Sequence, residues 1–106
     1  MFRKLFVLVL VLPACSPSEV DIQKAFEERA AQSQHCESAS ECTLIYPGCP
    51  LGCFVAVNVD EADALADYAS ELIADYESGG VACNYGCTEA PEVDCVEQVC
   101  TLLPLE

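Results

Sequence analysis

The sequence predicts a small α+β domain in which one amphipathic helix packs on a small antiparallel sheet and four disulfides staple the whole. Three observations predict it. Eight cysteines lie between Cys36 and Cys100, a density typical of small exported domains whose apolar cores are too slight to stand alone. One long stretch, Val59 to Glu77, places apolar residues at helical spacing. Short β-branched runs bounded by Pro and Gly flank it on both sides.

The first element is a leader. A basic start, Met1-Phe2-Arg3-Lys4, precedes eight apolar residues, Leu5 to Leu12. A bilayer-spanning helix needs about 20 apolar residues, so the run has the length of an export signal rather than of an anchor. Ordinary signal cleavage favours small side chains at the third and first positions before the cut; Ala14 satisfies one and Leu12 fails the other. Leu12-Pro13-Ala14-Cys15 instead resembles the lipobox of bacterial lipoproteins. That resemblance covers the first 15 residues and implies diacylglycerol on the Cys15 sulfur, cleavage before it and acylation of the new amino group. One acyl chain holds a membrane only marginally, whereas two or more anchor it stably. Ser16, in place of the Asp that retains such proteins at the inner membrane, implies an outer-membrane lipoprotein facing the periplasm.

Lipid on Cys15 also resolves the parity of nine cysteines, because the remaining eight then pair. Removing residues 1–14 takes away Arg3 and Lys4 but no acid. The mature chain has 18 acids against Lys24 and Arg29, a formal net charge of −16. Nucleic acid is excluded as a partner, since phosphates are neutralised by Lys and Arg. Anionic headgroups repel such a domain, so membrane attachment is expected through the lipid alone. The spread of the acids fits solubility.

Residues 15–35 are expected to form a partly helical tether. Ser18 followed by Asp21 is expected to cap a helix, and Ile22, Ala25, Phe26, Arg29 and Ala30 share one face. Whether that face docks on the domain stays open from sequence. The disulfide-rich domain is expected over residues 36–106. A loop between Cys36 and Cys42 leads to strand composition at 43–46, then the tight loop Pro47-Gly48-Cys49-Pro50-Leu51-Gly52-Cys53, then a second strand at 54–57. Asn58 as N-cap with Glu61 three residues on is expected to open the helix at Val59. Its core stripe is Ala62, Leu65, Ala66, Ala69, Leu72, Ile73 and Tyr76; Asp67, Glu71 and Asp75 lie opposite, and Gly79-Gly80 ends it. A final hairpin turns at Glu97-Gln98, setting Cys95 opposite Cys100 on one face.

Eight cysteines allow 105 pairings. The segments flanking the helix must be drawn together over it, which groups Cys49/Cys53 with Cys83/Cys87 and Cys36/Cys42 with Cys95/Cys100. As thiols, the two Cys-x-x-x-Cys pairs offer an alternative, tetrahedral zinc, although structural zinc sites favour tighter knuckles and an exported chain meets oxidant first. No cofactor is expected. The redox spacing Cys-x-x-Cys is absent, and His35 is the sole histidine, so hydrolytic dyads lack partners. The mature part resembles short cysteine-rich lipoproteins of bacterial envelopes, a likeness that transfers no active residue. The expected role is therefore non-enzymatic: an interaction module for another envelope protein. Its expected contact loop is Pro47, Gly48, Pro50, Leu51 and Gly52, with Leu51 exposed at the tip; a protease inhibitor using the 47–53 loop is the alternative, because rigid loops lose little entropy on binding.

Overall fold

The computed structural model describes residues 17–80, 83–84 and 86–104. The leader, Cys15 and Ser16 lie outside the described residues. The chain forms a small disulfide-rich α+β domain, with α1 at Glu19–Ala31, a 3-10 turn at Ala39–Glu41, β1 at Cys42–Ile45 and β2 at Val55–Asn58. Then follow α2 at Ala62–Glu77, β3 at Val93–Val96 and β4 at Val99–Leu102. None of the described helices is long and apolar enough to cross a membrane.

The Ser18/Asp21 box forms as the sequence predicts: the Asp21 N–H donates to the Ser18 hydroxyl at 3.1 Å, and the Ser18 N–H to the Asp21 carboxylate at 3.3 Å. Beyond this cap, α1 is docked rather than loose. Ile22, Phe26 and Ala30 are buried, and Phe26 and Ala30 join Ile45, Val57, Leu65 and Ala69 in the main apolar cluster. The helical part of the expected tether thus supplies core to the domain, and the α+β layer contains two helices. The Arg29 guanidinium covers the Tyr68 ring of α2 at 5.0 Å, a cation–π contact that lets one of the chain's four Lys and Arg side chains pack its stem against the helix.

The sheet is divided. β1 and β2 pair antiparallel with Leu44 opposite Ala56; β3 and β4 pair with Cys95 opposite Cys100, the register that the two-residue turn dictates. Residues 33–36 join the two hairpins. The Asn58 N–H donates to the Ser33 carbonyl at 2.8 Å, the Cys100 N–H to Gln34 at 2.7 Å and the Cys36 N–H to Gln98 at 3.1 Å. Beside them, the Gln34 side-chain amide donates to the Ala56 carbonyl at 2.9 Å. Backbone groups of β2 and β4 that would otherwise form open edges are satisfied by this short segment.

α2 begins at Ala62, three residues later than the periodicity predicts, and the Asn58/Glu61 capping box does not form. Asn58 is the last residue of β2, and its side chain is committed elsewhere: Nδ2 donates to the His35 carbonyl at 2.7 Å, and Oδ1 accepts from the Asp60 N–H at 2.8 Å. Glu61 becomes the N-cap, without a side-chain bond. The rest of the helix follows its pattern, with Leu65, Ala69 and Tyr76 buried and Asp67, Glu71 and Asp75 exposed.

The disulfides join Cys36 to Cys95, Cys42 to Cys100, Cys49 to Cys83 and Cys53 to Cys87, with Cα separations of 5.5–6.0 Å. This is the grouping drawn from the helix geometry. The molecule consequently has two stapled ends, one at the 47–53 loop and one at the β3–β4 hairpin.

Candidate functional site

At the first end, the 47–53 loop folds back on itself. Gly48 and Gly52 exchange backbone hydrogen bonds of 3.0 and 3.1 Å, with φ values of +98° and +137° that favour glycine. A Cβ at Gly48 would stand 3.3 Å from Ile73 Cδ1, so the loop lies directly on α2. The peptide between Cys49 and Pro50 is cis, and the Pro50 carbonyl accepts from the Gln23 side-chain amide of α1 at 2.9 Å. Pro47 and Pro50 are buried, and Leu51 is half-buried against the apolar cluster.

The expectation of an exposed Leu51 tip is therefore corrected: the helices draw that side chain inward. Among the described residues, the aromatic left in solvent is Tyr46, 63% exposed, which meets Phe54 edge-on across the loop base at 5.1 Å between ring centres.

At the other end, the Sγ atoms of Cys36, Cys42 and Cys100 all lie within 4.8 Å of one another in a buried cluster with Ala56. As thiolates they would suit a soft metal. Each is instead bonded in a disulfide, as are Cys49, Cys53, Cys83 and Cys87, so zinc binding through any of these pairs would require prior reduction.

An open polar recess of about 220 Å³ lies between the end of α1 and the start of α2, lined by Gln32, Ser33, His35, Asn58, Asp60 and Glu61. Its floor is bonded internally. The buried Ser33 hydroxyl donates to the Arg29 carbonyl at 3.0 Å, which commits its proton to the helix end. The Asn58 amide is held by His35 and Asp60, as described above. The His35 ring points outward, 68% exposed, and meets the Glu37 carboxylate at 3.0 Å. No hydroxyl or thiol pairs with that imidazole among the described residues, so the arrangement lacks an activated nucleophile. What it offers is an exposed acidic rim at Asp60 and Glu61. The backbone bridge between His35 and Val99 places the exposed Val99 of the hairpin beside it.

This recess leaves little trace in the sequence. Asn58, Asp60 and Glu61 read as a helix start, and the pairing of His35 with Val99 joins residues 64 positions apart. The only local signal was an Asn at the strand-to-helix junction. No protein-family model, curated protein or solved structure matches the chain.

Proposed function

We propose that the chain is a non-enzymatic lipoprotein of the bacterial envelope, held at the outer membrane by lipid on Cys15 and acting through contact with another envelope protein. Lipidation is supported by the Leu12-Pro13-Ala14-Cys15 string and by parity, since the other eight cysteines all pair. The observation that carries the contact role is the recess at the hairpin end. It is a polar cleft with Asp60 and Glu61 on its rim and apolar Val99 beside it, mounted on a frame tied by two disulfides. Such a surface fits a basic segment carrying an apolar side chain. Preorganisation by disulfides reduces the entropy lost on binding, and the charge of the domain speeds encounter with a cationic partner. The half-buried Leu51 weighs against the inhibitor alternative, and the bonded sulfurs against zinc.

A photoreactive amino acid at Val99, in cells, tests this reading. It should yield a covalent adduct with an envelope protein that is lost when Asp60 and Glu61 are both changed to Lys. Adducts arising from Leu51 alone, or adducts indifferent to the charge reversal, would contradict it.

A further inference from the structure

We infer that the domain stands on the bilayer by its Tyr46 and Val20 end and holds the β3–β4 hairpin away from the membrane. The inference rests on lipid at Cys15, proposed above, and adds which surface meets the headgroups. Its basis is the shortness of the leash. Ser18 is the N-cap of a helix docked into the core, and it lies three residues after Cys15. Three residues span at most about 11 Å at 3.3–3.6 Å each. The headgroup layer is itself roughly 5–8 Å deep on each side of the hydrocarbon. The first turn of α1 is thus confined to the edge of that layer, whatever path the leash takes.

The packing decides what accompanies that turn. Gln23, one turn into α1, donates to the Pro50 carbonyl, and Gly48 of the same loop abuts Ile73 in the last two turns of α2. Later in α1, Arg29 meets Tyr68, earlier in α2. The helices therefore run antiparallel, and the start of α1, the end of α2 and the 47–53 loop share one end. Among the described residues, the most exposed large apolar side chains, Val20 at 70% and Tyr46 at 63%, both belong to that end. A tyrosine with its ring half in solvent suits the membrane interface.

The recess and hairpin lie past the other end of α1, 13 residues away or roughly 20 Å at 1.5 Å per residue. Exposed acids lie on the flanks, as Glu27, Glu28 and Asp67, and also at the Val20 and Tyr46 end, as Glu19, Asp21, Asp75 and Glu77, so the short leash and these two exposed side chains, rather than charge, set the orientation. Standing on this end leaves the recess open to a periplasmic partner.

The chain has no tryptophan, so single reporters are clean. Acylated protein bearing Val20→Trp, Tyr46→Trp or Val96→Trp is reconstituted in phosphatidylcholine vesicles whose acyl chains are brominated near the headgroup, and tryptophan quenching is read for each. The expected result is at least twofold quenching at positions 20 and 46 with an unchanged signal at position 96, an exposed site beside the hairpin turn. Val20 is so exposed that its variant keeps the test decisive even if Tyr46→Trp disturbs the Phe54 contact. Equal quenching at all three positions, or none at any, in protein whose mass shows acyl chains on Cys15 would overturn the orientation alone. Vesicle-bound protein without acyl mass would overturn the lipid reading and the orientation with it.

Discussion

The side-chain amide of Asn58 donates to the His35 carbonyl at 2.7 Å while its oxygen accepts from the Asp60 N–H at 2.8 Å. One residue thereby fastens the 33–36 segment to β2 and shapes the turn into α2. Asn58→Asp removes the donor and sets a carboxylate against a carbonyl, leaving a polar group without its partner. Urea denaturation should show a loss of about 0.5–1.5 kcal/mol, and unchanged stability would mean that the segment is held by backbone bonds alone.

Docking of α1 has its own signature. Phe26 is 2% exposed, so Phe26→Ala should destabilise the domain by about 3–5 kcal/mol. The neighbouring exposed change Glu27→Ala should stay within about 0.5 kcal/mol. Equal, small effects of the two would show a helix not packed on the domain.

Two glycines separate strain from crowding. Gly80, φ +86°, has open space where a Cβ would stand, whereas Gly48, φ +98°, faces Ile73 at 3.3 Å. Gly80→Ala should lose about 1–2 kcal/mol from backbone conformation. Gly48→Ala adds overpacking and should lose roughly 2–4 kcal/mol. The order of thermal midpoints checks it, and a milder Gly48 variant would contradict the contact with α2.

The hairpin turn can be improved. Glu97 and Gln98 both adopt positive φ, 52° and 66°, which L side chains other than Asn and Asp resist. Replacing the pair by Asn-Gly, the residues such a turn prefers, should raise stability by about 1–2 kcal/mol without altering the disulfide map. A lowered midpoint would indicate that the two native side chains make contacts worth more than the strain.

The parts of the fold legible in the sequence are those governed by local periodicity or short spacing. The helical stripe of Leu65, Ala69 and Tyr76 and the acids opposite it read directly, because burial of one helix face leaves a repeat in the chain. Cys95 and Cys100, five positions apart around a two-residue turn, mark the hairpin register. Cysteine grouping followed from a helix that must be spanned. What escaped was non-local. The bonding of residues 33–36 to both hairpins depends on contacts far apart in sequence, and it diverted Asn58 from the cap that its neighbours advertised. Leu51 looked exposed because a Pro- and Gly-rich loop usually lies on the surface, yet α1 and α2 both reach this one. The recess was hidden for the same reason, its walls coming from three separate elements.

The most direct measurement of the account is the intact mass of the protein extracted from membranes without reductant. Cleavage before Cys15 leaves 92 of the 106 residues. The predicted species is that chain, carrying acyl chains on Cys15, with its other eight cysteines oxidised as four disulfides. A chain that begins elsewhere, or one in which Cys15 is a free thiol or joined to another cysteine, would contradict it.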